Sequence, residues 1–594
     1  MERICAVVVA YNRRDLLTRT LDALAAQERP LDQVVVIDNA STDGSGDLAR
    51  RHPTVSEVLT MEKNLGGAGG FAAGIARAVA HHRADLVWVM DDDTVPSPGA
   101  LAALLRARDA YPGSPAVLAS RVVWHDGRDH PMNTPRTRPL VAPDLAEHAR
   151  AVGCRQIRSA SFVSILIDSR AIWEDGLPEA DYFLWNDDFE YTARLLRRRV
   201  GLYVPDSVVT HLTRTFGASE TDPGARFFNE VRNKVWMYTR SRALGPLETA
   251  LYGGRTVLRW GQTIAASGQR RALLSHARRG LWAALRAPRS VTRILAATPA
   301  APDARTVSLG TPPPAAHGVP HAFSVLLPVY AGDDAAHVER ALRSVSRDQE
   351  LIPDEIVIVR DGPVGPGLTT VLTRAAELAA PSRIRLVELE RNVGLSAALS
   401  AGLEACTHDV VARADADDIC LPHRFSTQIP LMAGLDLLGS AIAEFDDDES
   451  RPGLVRAMPA RAEEIRRVLP LRDPVNHPTV VFRASAVRAA GGYDDATAME
   501  DYWLFARMIH AGARVANLPD VLVYYRVGAG AYERRGGTDM LRAEWNLQRA
   551  MFQAGFTTPL QALRNLVVRG GYRLVPAGVK RVAYRAAMRT GWRP

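Results

Sequence analysis

The run LVWVMDDDTVPSP, residues 86–98, carries an apolar strand straight into Asp91, Asp92 and Asp93. Adjacent carboxylates repel one another, and a packed core does not tolerate them unpaired. A second apolar run, VVARADADDICLP at 410–422, delivers Asp415, Asp417 and Asp418 in the same way. Oxygen donors of this kind suit a hard divalent cation, Mg2+ or Mn2+, held by one or two carboxylates and completed by substrate phosphates. A solvated turn capping a helix would explain either run by itself. The recurrence favours a ligand site holding a diphosphate.

A second acidic constellation follows each run. YFLWNDDFEYTARLLRRRV (182–200) carries Asp187 and Asp188, and TAMEDYWLFARMIHAGARV (497–515) carries Glu500 and Asp501, each pair at the head of an amphipathic helix. Such pairs often cap helices. Repeated behind a phosphate site, Asp188 and Asp501 become candidate general bases for an acceptor hydroxyl, with Asp187 and Glu500 beside them. VVTH places His211 at a strand end as a candidate third metal ligand. The corresponding part of the second half has Tyr525 and Arg526 and no histidine, and His477 in NHPTVVFR has no evident role.

These side chains need a scaffold that brings strand ends together, and the chain spells one out twice. ICAVVVAYNR and FSVLLPVYAG read as buried strands ending at Tyr11 and Tyr330. DQVVVIDNASTDGS and DEIVIVRDGP bring Asp38 and Asp361 to the ends of second strands. Asn64 and Asn392 follow third strands, and the acidic runs end the fourth. Strands alternating with helical segments imply βαβ units and a mostly parallel sheet, whose ligands sit beyond the strands' carboxyl ends. NLGGAGGFAAG, with Gly67, Gly69 and Gly70, does not spell the dinucleotide fingerprint and follows the third strand. It reads as a helix start passing close to a ligand. NVGLSAALSAG keeps Asn392 and Gly394.

The 594 residues allow two to four domains. Four scattered cysteines argue against a disulfide scaffold or a zinc site and fit a reducing compartment. The first residues do not read as a signal peptide, and no run of 18 apolar residues predicts a membrane span. The net charge of +7 is concentrated: Thr249–Pro302 holds nine arginines and no acid, and Trp545–Pro594 holds eight arginines, one lysine and no acid. Mixed with Leu, Val, Trp and Tyr, this composition suits helices on an anionic membrane surface, with solvated helices packed on the catalytic domain as the alternative. No nucleic-acid module is present, and no nucleic-acid partner is expected. Residues 301–320, rich in Pro, Ala and Gly, read as a linker. The expected organisation is a first domain at 1–240, a basic helical extension at 241–300, the linker, a second domain at 321–535 and a second basic extension at 536–594.

With those motifs in hand, both halves resemble family-2 inverting glycosyltransferases of the GT-A nucleotide-sugar-binding fold. VVVAYNR, VIDNASTDGS, MDDDTVPSP, WNDDFEY and VVTH look like the rhamnosyl- and galactofuranosyltransferase branch. FSVLLPVYAGD, VARADADDICLPHRF, NHPTVVFR and MEDYWLFARM look like the amylovoran exopolysaccharide type. The resemblance implies two tandem GT-A (Rossmann-like) domains. In the first, it implies a metal site at Asp93 and His211, nucleotide contact at Asp38 and a base at Asp188. In the second, it implies nucleotide contact at Asp361, a metal site at Asp415 and Asp417 and a base at Asp501; Asp418 is a further expected metal ligand, and Asp415 is also expected to line the nucleotide-sugar site. Tyr11, Asn64, Asp91, Asp92, Tyr330 and Asn392 are expected to line the nucleotide-sugar sites. The donor would be a UDP- or dTDP-sugar and the acceptor a glycan, lipid-linked, on the inner face of the plasma membrane. Two other readings compete. A sugar-nucleotide pyrophosphorylase would need a Gly-rich, Arg-containing loop after the first strand, which AYNRRD and VYAGDD do not supply. A binding module lacking turnover would more readily be the second half, given its missing histidine.

Overall fold

The structure, a computed structural model, describes residues 2–213, 216, 223–310, 322–446, 448–494, 499–527 and 538–570. The chain divides into two compact units, Met1–Pro312 and Pro313–Pro594.

The first unit is built on β1 (Ile4–Ala10), β2 (Gln33–Asp38), β3 (Glu57–Thr60), β4 (Leu86–Asp91), β5 (Thr94–Pro96), β6 (Val117–Val123), β7 (Arg136–Thr137), β8 (Arg155–Ser159), β9 (Ile165–Asp168) and β10 (Gly201–His211). The sheet order is β3-β2-β1-β4-β9-β6-β10-β8-β7, with β5 paired to β10. β1 is fully buried because both its faces are covered. Cys5, Val7 and Val9 point to one layer and Ile4, Ala6, Val8 and Ala10 to the other. That period of two is the pleat of a strand in the middle layer of a three-layer α/β domain. On one side, Leu17, Leu21 and Leu24 of the helix Arg14–Ala25 recur at helical spacing and are buried. On the other, Phe71 and Ile75 of the helix Gly66–Ala76 do the same. Each such side chain contributes about 1.5–3 kcal/mol by leaving water.

The chain runs outward from β1 to β2 and β3, then returns to place β4 on the other side of β1. The gap between the carboxyl ends of β1 and β4 is therefore a topological switch point, where open α/β sheets bind ligands. β1–β4 pairing ends at Val9 opposite Asp91, so the acidic run starts at that gap.

The second unit repeats the plan with β11 (Ser324–Tyr330), β12 (Glu355–Asp361), β13 (Arg383–Leu389), β14 (Val410–Arg413), β15 (Ile419–Cys420), β16 (Leu437–Phe445), β17 (Val455–Arg456), β18 (Val481–Arg483) and β19 (Val515–Arg526). Its order, β13-β12-β11-β14-β18-β16-β19-β15, follows the first unit's strand for strand from β3 to β10. Both units are thus α/β domains of the same topology, whose parallel strands are interrupted by one antiparallel strand, β9 or β18, next to β4 or β14.

One boundary differs from expectation. Residues Ala301–Ser308, read as linker, form a helix whose Ala304 and Val307 lie in the first unit's core, and whose Asp303 pairs with Arg77 (2.9 Å). Alanine and proline at the head of a short helix carry no loop signature of their own, which is why composition misled here. Residues 311–320 of that stretch, and the arginine-rich tail beyond Gly570, lie outside the described residues. The first basic extension is helical, Pro246–Ala266 and Arg270–Ala284. No helix among the described residues is long and apolar enough to cross a membrane.

Candidate active site

In the first unit the acidic run lies between β4 and β5, and β5 pairs with the end of β10, setting His211 opposite Thr94. This ladder brings together residues 118 positions apart: His211 Nε2 lies 3.1 Å from Asp93 Oδ1. Asp91, Asp93 and His211 each offer one ligand atom, all within 4.8 Å of one another. The donor set fits a divalent cation. His211 Nδ1 lies 2.9 Å from Asn133 Oδ1, and Asn133 Nδ2 donates to Ser161 Oγ (3.1 Å), which sets the amide's orientation. A proton on Nδ1 donated to that carbonyl leaves the Nε2 lone pair for a metal. Electrostatics agree. Burial, with Asp93 and Asp92 alongside, pushes Asp91 well above the carboxylate range. Burial would raise Asp93 too, but the His211 hydrogen bond and Arg13 outweigh it and hold Asp93 low. A crowded, part-protonated acid group of this kind gains from a bound cation. Asp92 plays another part: it is buried, accepts the Tyr11 backbone N–H (3.0 Å) and Arg13 (3.3 Å), and burial lifts it to about 6. Its contacts tie β1 to β4.

The helix Asp187–Leu195 faces the same crevice. Asp187 is near enough to Asp91 to raise it. Asp187 is itself buried, and burial beside Asp188 lifts its carboxyl to about 8. Asp188 is half-buried; burial raises it, while the Phe189 N–H, Lys234 and Arg136 oppose that rise. Of the pair, Asp188 has the cationic surroundings that favour a carboxylate.

The remaining expected residues divide. Tyr11 is exposed at the end of β1, and Asp38 sits at the end of β2, accepting the Ser41 N–H (3.0 Å). A Cβ on Gly46 would come 2.2 Å from Asp38 Oδ2, so only glycine lets that helix approach. Asn64 accepts the Gly66 N–H (2.7 Å) and the Asn39 side chain (3.0 Å), shaping the loop rather than an open pocket. The glycine-rich helix start was expected to pass close to a ligand. Several of these glycines pass close to protein: Gly66, at φ +71, lies against the Phe183 carbonyl, Gly70 against Val9 and Gly74 against Val7, while Gly67 has room for a Cβ.

In the second unit β14 leaves the sheet at Arg413 and the chain re-enters at Ile419, opposite Tyr524. Ile419 pairs with Tyr524 as Val95 pairs with Thr210, so Tyr525 takes the place that His211 holds in the first unit. Asp361 accepts the Val393 (2.7 Å) and Gly394 (3.1 Å) N–H groups. Asn392 is exposed, its backbone packed against Gly362. Tyr330 is exposed, and its N–H donates to Asp333 (2.9 Å) much as Tyr11 donates to Asp92. Burial with Asp417 and Asp415 nearby lifts Asp333 to about 6. Asp415 is paired with the buried Arg413. Asp418 accepts the Arg526 N–H (2.9 Å) with Oδ1, while its buried Oδ2 has no hydrogen-bond partner among the described residues. Burial and the neighbouring Asp415 raise both Asp417 and Asp418. The unpartnered carboxylate oxygen and the crowded acids suit a cation, but among the described residues Asp415, Asp417 and Asp418 do not bring three ligand atoms together as Asp91, Asp93 and His211 do. His477 finds its place beside the candidate base: its Nδ1 lies 3.9 Å from Asp501 Oδ2, and its Nε2 3.1 Å from the Tyr493 hydroxyl. Asp501 and Asp415 sense each other and share Arg413 as a counter-charge, so acid run and base face one pocket. Glu500 begins the same helix.

Arg13, Asn133, Lys234, Arg136, Asp333 and Arg413 were not singled out from sequence. Arg13, Asp333 and Arg413 lie within the runs VVVAYNR, FSVLLPVYAGD and VARADADDICLPHRF, but their partners are not visible there; Asn133, Arg136 and Lys234 are isolated polar residues whose neighbours come from distant segments.

Comparison with known proteins agrees with this geometry. The family model described as glycosyl transferase family 2 matches residues 5–162 and again 324–489. The chain belongs to that family. The amylovoran biosynthesis glycosyltransferase AmsE of Erwinia amylovora is 40% identical over 268 residues, covering 44% of this chain and 97% of the relative. A UDP-Gal:alpha-D-GlcNAc-diphosphoundecaprenol beta-1,3-galactosyltransferase of Escherichia coli is 32% identical over 270 residues, 45% of this chain and 96% of its own. The galactofuranosyltransferase GlfT1 of Mycolicibacterium smegmatis is 32% identical over 202 residues, 33% of this chain and 66% of its own. Among family-2 glycosyltransferases this chain carries the domain twice.

Proposed function

We propose that both units transfer sugars, by an inverting, divalent-cation-dependent reaction, from UDP- or dTDP-sugars to a lipid-linked glycan acceptor in cell-surface polysaccharide assembly. The observation that carries this reading is the meeting, in each unit, of a strand-end acid group with the carboxylate-headed helix across one crevice. A bound cation would neutralise charge on the leaving diphosphate, held by Asp91, Asp93 and His211 in the first unit and by Asp417 and Asp418 in the second. Tyr11 and Asp38, or Tyr330 and Asp361, line the nucleotide end. Asp188 or Asp501 takes the proton of the acceptor hydroxyl. That oxygen attacks the anomeric carbon opposite the diphosphate, the carbon–oxygen bond to phosphate breaks, and configuration inverts in a single displacement. No covalent nucleophile is required.

The acceptor side is supported by surface composition. Leu251, Leu258, Leu274, Trp282 and Leu285 are exposed on the acid-free extension of the first unit, and Trp545, Leu560, Leu563 and Val567 on that of the second. Apolar side chains interleaved with arginines fit the interface of an anionic bilayer, on its cytoplasmic face. The same extension also packs on the catalytic unit, through Arg259–Glu230 and Arg289–Asp181, so the two readings of it are compatible.

A panel of UDP- and dTDP-sugars, read by release of nucleoside diphosphate with and without Mn2+, tests the proposal on vesicles carrying a polyprenyl-diphosphate glycan. Asp188→Asn and Asp501→Asn should each cut one transfer by about 10²-fold or more and spare the other. If neither lowers any transfer, the reading fails. A second reading, in which only the first unit turns over and the second binds nucleotide sugar or glycan, is favoured by Tyr525 standing in His211's place. Loss of all transfer with Asp188→Asn and none with Asp501→Asn would select it.

A further inference from the structure

The backbone that presents Asp187 and Asp188 is held in an unfavourable shape. Phe183, Trp185 and Asn186 have φ of 64, 69 and 66, three non-glycine residues in the left-handed region within four positions. Side chains with a Cβ enter that region at a cost, and such residues persist only where surrounding contacts impose them. Here the contacts come from one face of the helix Phe227–Arg240. Asn233, wholly buried, aims its Nδ2 at the carbonyls of Tyr182 (3.0 Å), Leu184 (3.0 Å) and Trp185 (2.8 Å). Arg232 donates to the carbonyls of Asp181 and Tyr182, both at 2.9 Å. Glu230 Oε2 accepts from Asn186 Nδ2 (2.7 Å), and its Oε1 is braced by Arg259 (2.8 Å) and Trp260 (3.3 Å) of the next helix. From the opposite side, the Ala68 N–H reaches the Phe183 carbonyl (3.3 Å) over Gly66, where a Cβ would sit 1.9 Å from that oxygen.

We infer that Glu230, Arg232 and Asn233 are positioning residues for transfer by the first unit: they clamp the 183–186 turn and thereby aim Asp188 at the acceptor hydroxyl. The inference rests on Asp188 being the base, as proposed above. The clamp touches neither the ends of β1, β2 and β4 nor the acid group, so donor binding is separate from it.

The test uses the full chain and Asn233→Ala, with Arg232→Gln as a more exposed second variant in case the first does not fold. Hydrogen exchange of the 183–189 amides should speed at least 10-fold, while amides of β1 and β4 keep their rates. Mn2+-dependent binding of UDP or dTDP should be unchanged. Turnover with the sugar donor found by the panel should fall at least 10-fold in kcat, with KM for the donor retained. Unchanged exchange at 183–189 overturns the clamp whatever the activity does, as does an exchange increase spread equally over β1 and β4. Faster exchange at 183–189 with full kcat refutes the positioning role. If the wild-type chain turns over no donor, the proposed function is at fault, and the exchange measurement alone decides the clamp.

Discussion

Asp187 and Asp188 are neighbours in sequence with different surroundings. Asp187 turns into the crevice toward Asp91, and burial beside Asp188 lifts it to about 8. Asp188 lies among the cations Lys234 and Arg136. Lys234 is itself buried, and burial lowers it to about 8 despite Glu230. The sign for stability follows. An unfolded Asp187 loses its proton near pH 4, whereas the folded one keeps it to about 8. Its contribution to stability is thus present below about pH 4 and is lost as pH rises toward 8. In metal-free protein, the Tm of the first unit should fall from pH 5 to pH 8, and Asp187→Asn should flatten that fall. An identical slope in the variant would show that Asp187 is not the buried acid described. The motif WNDDFEY shows two acids at a helix head, but no sequence pattern tells which faces cations, because Lys234 and Arg136 arrive from other segments.

The elements were more legible than their partners. A strand buried on both faces announces itself as an unbroken apolar run, as ICAVVVA does, and each acidic run was correctly placed at a strand end. What escaped was pairing across distance: His211 with Asp93 through the β5–β10 ladder, and His477 with Asp501 through a turn before β18. Gly66, Gly70 and Gly74 also let their helix sit on β1 and the 183–186 turn, a packing role that the sequence did not show. The basic helices make a prediction at this scale. Pro246–Ala266 packs Tyr252, Trp260 and Ile264 on the first unit and leaves Leu251, Val257 and Leu258 exposed. A helix with exposed leucines and no aqueous reason for them should bind an interface. Replacing Leu251, Leu258 and Trp282 together with serine should lower partition onto phosphatidylglycerol vesicles by about 10-fold or more at low salt, since each apolar side chain contributes about 1.5–3 kcal/mol when fully buried. Unchanged partition in a flotation assay would leave these helices as a packing element only.

At the scale of the molecule, one strand order occurs twice in one chain, with carboxylates at the same switch point but different supporting residues. The duplication was readable because acid runs, strand ends and carboxylate pairs recur in the same sequence order. Its asymmetry was only half readable: the missing histidine was visible, whereas Arg413 on Asp415 and Asp333 beneath Tyr330 follow from three-dimensional packing. The central claim is that each unit holds a cation-bridged nucleoside diphosphate on its own acid group. Calorimetric titration of the full chain with UDP and with dTDP, in Mn2+ and in chelator, measures it directly. The account predicts two Mn2+-dependent nucleoside diphosphate sites per chain, reduced to one by Asp93→Asn, to the other one by Asp417→Asn, and to none by both. Binding indifferent to Mn2+, or a stoichiometry that neither substitution changes, would contradict it.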